Sequence, residues 1–128
     1  MDTTILLIVA NSQTGELLDR GVLAPAGFRV TQVGDAAAAA VMMRSSSIDV
    51  AILESAVGGV QLAIDLAETY PALPLILIAS TEEQAHMLDA LRAGVFDFLT
   101  PPLKPDAILA AVQRALKKRQ RIITWAKE

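Results

Sequence analysis

The sequence predicts an α/β protein in which a parallel five-stranded sheet carries helices on both faces. Runs that suit strands recur five times, and each is followed by a segment long enough for a helix. Such alternation implies parallel strands joined by crossover helices. Residues 50–53 form an unbroken apolar run, typical of a strand buried on both faces, and this run ends on the carboxylate of Glu54. Because ligands and chemistry collect at the carboxyl edge of such sheets, the groups around Glu54 are the first candidates for function.

The strand candidates are short apolar or alternating runs. Most of them are continuously apolar, but the run after Gly27 alternates apolar and polar side chains, which is typical of a strand nearer the sheet edge. The five expected strands are residues 5–9, 28–33, 49–54, 75–79 and 95–99.

Most helix candidates begin at a residue that suits a helix start. Ser12 and Asp35 suit the N-caps of the first two helices. Ser80 with Glu83 is a capping-box pattern for the fourth helix, and Pro105 suits the first turn of the last. The expected helices are residues 12–23, 35–43, 60–69, 80–93, and 105 to at least 118.

The composition is that of one globular domain. The chain has 128 residues, of which 53% are hydrophobic and 20% charged, and its formal net charge is −3. This balance excludes a disordered chain and gives no general indication of nucleic-acid binding. The absence of cysteine excludes disulfides and zinc–thiolate sites and is compatible with a cytoplasmic protein. The first apolar run is too short to span a membrane, so neither a signal peptide nor a membrane anchor is expected.

The element order and two stretches resemble the receiver domain of two-component response regulators. The strand from Asp49 to Glu54 is similar to the family strand that ends in the phosphoacceptor aspartate, and residues 93–103 are similar to the family's block around the fifth strand. The resemblance implies a flavodoxin-like sheet of order 2-1-3-4-5, with a cis peptide bond between Pro101 and Pro102. The predicted domain is residues 1–119, and residues 120–128 are expected to extend the last helix as a linker to an output domain or a partner.

The same resemblance assigns the positions of the family's phosphorylation site, and each holds a different residue in this chain. Glu54 corresponds to the phosphoacceptor, and Ala10 and Asn11 correspond to the acidic pair that holds magnesium. Ala79 corresponds to the hydroxyl residue that contacts the phosphoryl group, and Pro101 to the lysine that pairs with it. The strands that present these positions are nevertheless intact.

These replacements predict a degenerate receiver, or pseudo-receiver, that neither binds a metal or cofactor nor acts as an enzyme. Magnesium is usually held through one or two carboxylates, and only Glu54 remains. Pro101 supplies no cation to meet the negative charge of a phosphoryl group. The resemblance also makes Phe98 the equivalent of the family's switch aromatic residue. The predicted function is therefore that of a phosphorylation-independent regulatory module that works through protein contacts.

Alternatives remain open at this stage. Glu54 or a neighbouring residue could still accept phosphate, or Glu54 could act as a permanent mimic of a phospho-aspartate. Glu54 could instead be a solvated acid that accepts backbone N–H bonds from the following loop. The stretch Ser12–Gly15 faintly resembles a flavodoxin phosphate loop, which would indicate a small flavin or nucleotide binder.

The last helix predicts an interaction surface, because apolar residues recur at helical spacing beyond the length that covers a sheet. Its partner is expected to be a second copy, another protein or an attached output domain, with neither membrane nor nucleic-acid binding by this domain alone. The expected contact residues are Ile108, Val112, Ile122, Ile123 and Trp125.

Overall fold

The fold is a five-stranded parallel sheet with helices on both faces, as the sequence predicts. The computed structural model describes the backbone of residues 3–45 and 47–127, and the side chains of these residues except Ser45 and residues 120–127. The strands are β1 (Thr4–Ile8), β2 (Arg29–Val33), β3 (Val50–Glu54), β4 (Leu75–Ile78) and β5 (Asp97–Leu99). Their order is β2-β1-β3-β4-β5, and every neighbouring pair is parallel, which confirms the expected flavodoxin-like topology.

Helical segments connect the strands. The first helix, α1 (Ser12–Leu18), continues as a π-helical turn over Asp19–Leu23, and α4 (Met87–Ala93) is preceded by a 3₁₀ helix over Thr81–His86. The other helices are α2 (Ala36–Ser45), α3 (Gly59–Thr69) and α5 (Pro105–Lys127).

The core consists of two apolar layers, one on each face of the sheet. Successive strand side chains point to opposite faces, so Leu6 of β1 belongs to one layer and Leu7 to the other. Helices α2, α3 and α4 cover the first face, and Ala39, in the alanine-rich part of α2, is fully buried there. The π-helical turn, α1 and α5 cover the second face. This two-sided burial explains why β1, β3 and β4 read as continuous apolar runs.

The ends of some elements differ from the sequence prediction. Asn11, and not Ser12, caps α1, because the Asn11 backbone is still extended and its side-chain oxygen accepts a hydrogen bond from the Gln13 N–H at 2.8 Å. Asp35 behaves as predicted for an N-cap, since its Oδ1 accepts from the Ala38 N–H at 2.7 Å. The predicted cis peptide bond between Pro101 and Pro102 is confirmed.

Helix α5 packs its apolar face on the sheet, which corrects part of the expected interaction surface. Ile108 is 2% exposed and Val112 is fully buried, and both lie in the apolar layer beside β1 and β3. These two residues are therefore core residues of the described structure, and their assignment to an exposed contact surface is wrong. The helical backbone continues to Lys127, but the side chains of Ile122, Ile123 and Trp125 lie outside the described part of the chain.

Arg119 ties α5 to the amino ends of the strands. Its Nη1 donates a hydrogen bond to the Ala72 carbonyl at 3.3 Å, and its Nε lies 3.4 Å from Asp49 Oδ1. The other carboxylate oxygen of Asp49 accepts from the Thr4 N–H at 2.9 Å. A single carboxylate thus links β1, the start of β3 and Arg119 of α5.

Candidate functional site

The candidate site lies at the carboxyl edge of the sheet, where β3 ends at Glu54. The parallel register pairs Ile8 of β1 with Leu53, and Ile78 of β4 with Glu54. The chain segments that follow β1 and β4 therefore emerge beside Glu54. The Ala79 N–H donates to the Leu99 carbonyl at 3.0 Å, which brings the end of β5 to the same edge.

The Glu54 side chain turns toward the loop after β1. Its Oε1 accepts a hydrogen bond from the Ala10 N–H at 3.0 Å, and the residue as a whole is half-buried. The donor expected for Glu54 was a backbone N–H in the loop after β3. The observed donor, Ala10, lies instead in the loop after the neighbouring strand β1. The Glu54 carboxylate thus links β3 to the place where the resemblance puts the magnesium-binding acids.

The residues that replace the acidic pair offer little to a metal ion. Ala10 has only a methyl side chain, and the Asn11 side-chain oxygen is used to cap α1. Within the described residues, no group of three or more histidine, cysteine, aspartate or glutamate side chains is placed to hold a metal ion. The geometry at this edge is therefore that of a backbone-bound carboxylate beside a capped helix.

The residues at the two positions that the resemblance assigns to phosphate contacts have no polar side-chain atom. Ala79 is 1% exposed and belongs to the apolar layer under α3 and α4. Pro101 is exposed and carries no donor or charge. Phe98, the expected switch aromatic, is half-buried and packs against the same apolar layer as Ala79.

A polar network that the sequence did not fully predict joins the loops after β3 and β4. The predicted capping box is present, and Glu83 Oε1 accepts from the Ser80 N–H at 3.0 Å and from Ser80 Oγ at 3.1 Å. The same oxygen accepts from Ser55 Oγ at 2.6 Å, although Ser55 is 28 residues away in sequence. A capping box can be recognised from local spacing, but no local pattern indicates the contact with Ser55.

The hydrogen bonds in this network favour an ionised Glu83. The hydroxyl of Ser55 is the largest cause that lowers the pKa of Glu83 from its ordinary value of 4.5, followed by the backbone N–H of Ser80. Partial burial acts in the opposite direction, and the Ser80 hydroxyl and the charge of His86 lower the pKa further. Glu83 is therefore a charged acceptor at neutral pH.

The loop that suggested a flavin or nucleotide site holds only a small surface depression. Its volume is about 260 Å³, and it is lined in part by Ala10, Ser12 and Gly34. Pockets for cofactor-sized ligands usually occupy about 300–1,000 Å³. This part of the edge therefore gives no support to the flavin or nucleotide alternative.

Comparison with known proteins gives a family. Residues 6–113 match the response regulator receiver domain. The C4-dicarboxylate transport transcriptional regulatory protein DctD of Pseudomonas aeruginosa is 36% identical over 67 residues, which cover 52% of this chain and 14% of that protein. Protein PetR of Rhodobacter capsulatus is 28% identical over 122 residues, covering 93% of this chain and 51% of PetR. This chain thus spans about half or less of these curated relatives.

Solved structures share the fold at low sequence identity. NtrX from Brucella abortus in complex with ADP superposes with a TM-score of 0.89 at 22% identity, covering 99% of this chain and 29% of that one. The signal receiver domain of an HD domain-containing protein from Pseudomonas fluorescens Pf-5 gives a TM-score of 0.85 at 21% identity, covering 94% and 99%. In the described residues, no helix combines the length and apolarity needed to cross a membrane. From the family match over residues 6–113 and the shared fold, we conclude that this chain belongs to the response regulator receiver domains of two-component signalling.

Proposed function

We propose that this domain is a degenerate receiver that regulates through protein contacts and takes up no phosphate. The observation that carries the proposal is the hydrogen bond between Glu54 Oε1 and the Ala10 N–H. It places the carboxylate at the phosphoacceptor position in a structural link to the neighbouring loop. A nucleophile must be held close to its attack geometry, and a misplacement of about 1 Å can cost on the order of 100-fold in rate.

The charges around Glu54 support the same proposal. Magnesium bound through carboxylates would find one acid, Glu54, where the resemblance expects three, since Ala10 and Asn11 carry no charge. A phosphoryl group adds about 1.5 to 2 negative charges, and the neutral Pro101 stands where the resemblance expects a lysine. Magnesium binding, phosphoryl transfer to Glu54 and the charge contact with the phosphoryl group are thus each weakened by a different replacement.

Incubation with magnesium and acetyl phosphate, followed by intact-mass measurement, tests the proposal. A receiver that retains all five site residues serves as the positive control. We expect a phosphoryl mass increase in the control and none in this chain, and we expect beryllofluoride with magnesium to leave its amide chemical shifts unchanged. Stoichiometric modification of Glu54 or of a neighbouring residue would overturn the proposal and favour the alternative of a phosphorylated receiver.

The last helix is the proposed route to a partner. Relatives such as DctD, a transcriptional regulatory protein, are longer than this chain, which covers 14% of DctD. We therefore propose that α5 leads to an output domain or pairs with a second copy in the cytoplasm, with Ile122, Ile123 and Trp125 in contact. Sedimentation of the chain with and without residues 120–128 tests this proposal: a change in association state is expected, and identical monomers at high concentration would contradict pairing.

A further inference from the structure

Glu83 connects the two loops that flank the candidate site. One loop follows β3 and begins at Ser55, directly after Glu54, and the other follows β4 and begins at Ala79. One carboxylate oxygen of Glu83 accepts from Ser55 Oγ, from Ser80 Oγ and from the Ser80 N–H. This network lies at the same sheet edge as Glu54 but shares no hydrogen-bonding group with the Glu54–Ala10 contact.

We propose that Glu83 is a fixed carboxylate clamp that holds the loops after β3 and β4 in one arrangement without phosphate. The clamp deepens the proposed function and rests on it, because a regulatory surface that lacks a phosphorylation switch needs another means of staying ordered. The partner of this chain would then meet a surface of constant shape beside Glu54.

Each end of the clamp is attached to an ordered turn. The Ser55 N–H donates to the Ile78 carbonyl at 2.8 Å, and the Ser55 carbonyl accepts from the Gly59 N–H at 2.8 Å. On the other side, the Glu83 N–H donates to the Ser80 carbonyl at 3.0 Å. Both groups are therefore positioned by the backbone before the side chains meet, which lowers the entropy cost of forming the clamp.

The contact with Ser55 also has the geometry of a strong hydrogen bond. Hydroxyl–carboxylate bonds with an ionised acceptor typically measure about 2.5–2.7 Å and are about twice as strong as neutral ones. The Ser55 Oγ to Glu83 Oε1 distance of 2.6 Å lies in that range, and both residues are half-buried, which limits competition from water. Helix capping alone would require Ser80 and not Ser55, so this bond is the part of the network that a cap does not explain.

Hydrogen exchange of single amides in the full chain, without magnesium or phosphodonor, tests the clamp. Ser55→Ala removes only the bond between the loops, Glu83→Ala removes the whole network, and Glu82→Ala changes an exposed neighbour as the control. We expect Ser55→Ala and Glu83→Ala each to raise exchange about 10-fold or more in residues 55–59 and in residues 81–86, as loss of a charge-assisted bond would. Glu82→Ala is expected to leave both loops unchanged.

A role confined to helix capping predicts a different pattern. In that case Glu83→Ala affects residues 81–86 alone and Ser55→Ala changes neither loop, and this result would overturn the clamp. If Glu83→Ala does not fold, Glu83→Gln serves in its place. It retains an oxygen acceptor without the charge, so we expect a smaller increase in exchange in the same residues.

The clamp and the proposed function can fail separately, because exchange is measured on protein without phosphate. If the chain gains a phosphoryl mass while Ser55→Ala still raises exchange in both loops, only the proposed function is refuted. If Ser55→Ala leaves exchange in both loops unchanged and the chain gains no phosphoryl mass, only the clamp is refuted.

Discussion

Glu54 is one methylene longer than aspartate, and its carboxylate reaches a backbone donor on the loop of the neighbouring strand. The bond from the Ala10 N–H to Glu54 Oε1 measures 3.0 Å, and it joins the ends of β1 and β3. The backbone N–H of Ala10 and the side chain of Glu54 therefore act together as one link between these two strand ends. At the scale of single residues, the Glu54 carboxylate therefore serves as a backbone hydrogen-bond acceptor at this edge of the sheet.

Substitution of Glu54 should report directly on the Ala10 amide. In Glu54→Ala the Ala10 N–H loses its acceptor, so we expect faster amide exchange and a shifted amide resonance, with a stability loss of about 0.5–1 kcal/mol. Glu54→Gln keeps an oxygen acceptor and should retain most of the protection. Glu68→Ala, at an exposed position of α3, is the matched control. If Ala10 exchanges equally fast in Glu54→Ala and in the unaltered protein, the hydrogen bond does not persist in solution.

Glu83 should contribute to the loss of folding stability at acid pH. Its pKa is lower in the folded protein than the ordinary 4.5, mainly because of the Ser55 hydroxyl. Glu83 therefore stabilises the fold at pH values above its unfolded pKa, and this contribution is lost as the pH falls through the folded pKa. Denaturant unfolding measured from pH 6 down to about pH 3 should show a smaller stability loss for Glu83→Gln than for the unaltered chain. Parallel pH curves for the two proteins would contradict this role.

At the scale of elements, the first turns of α5 pack their apolar face on the sheet. These turns bury Ile108 and Val112 in the apolar layer beside β1 and β3. The sequence showed an apolar stripe along the whole helix, but such a stripe does not reveal which of its residues the sheet covers. For this reason the stripe alone predicts a contact surface with Ile108 and Val112, which the structure places in the core.

Arg119 should fix the direction in which α5 leaves the domain. Arg119→Met keeps an unbranched chain but removes the contacts with Asp49 and the Ala72 carbonyl. Because both charged side chains are partly exposed, we expect a stability loss of only about 0.5–1 kcal/mol, together with increased mobility of residues 120–127 in spin-label or relaxation measurements. Lys117→Met, at an exposed position of the same helix, provides the control. Equal mobility in the two variants would show that Arg119 does not anchor the helix.

At the scale of the whole molecule, the sheet and its order were predictable because buried parallel strands have a distinctive sequence pattern. The continuous apolar runs of β1, β3 and β4 reflect burial on both faces, and the prediction is confirmed for each. The π-helical and 3₁₀ segments were not distinguished, since their apolar spacing is close to that of an α-helix. The bond between Ser55 and Glu83 depends on how two loops meet in the fold, which no local spacing encodes.

The proposed absence of phosphorylation predicts that only combined substitutions make the chain accept phosphate. Glu54→Asp alone restores the reach of the acceptor but leaves the site without the acidic pair and without a cation, so we expect no mass increase with magnesium and acetyl phosphate. Ala10→Asp, Asn11→Asp and Pro101→Lys, added to Glu54→Asp, supply the missing charges at positions that are exposed in the structure. Aspartate at residue 11 can also retain the helix cap, because aspartate and asparagine are similarly favoured there.

The fourfold variant should therefore fold, bind magnesium at millimolar concentration and gain a phosphoryl mass. The variant with Ala10→Asp, Asn11→Asp and Pro101→Lys on the Glu54 background is the matched control, since it differs from the fourfold variant by a single methylene. Phosphorylation of this control to the same extent would show that the length of Glu54 is no barrier. Phosphorylation of Glu54→Asp alone would show that the acidic pair and the cation are dispensable, and this result would remove the physical basis of the degenerate receiver.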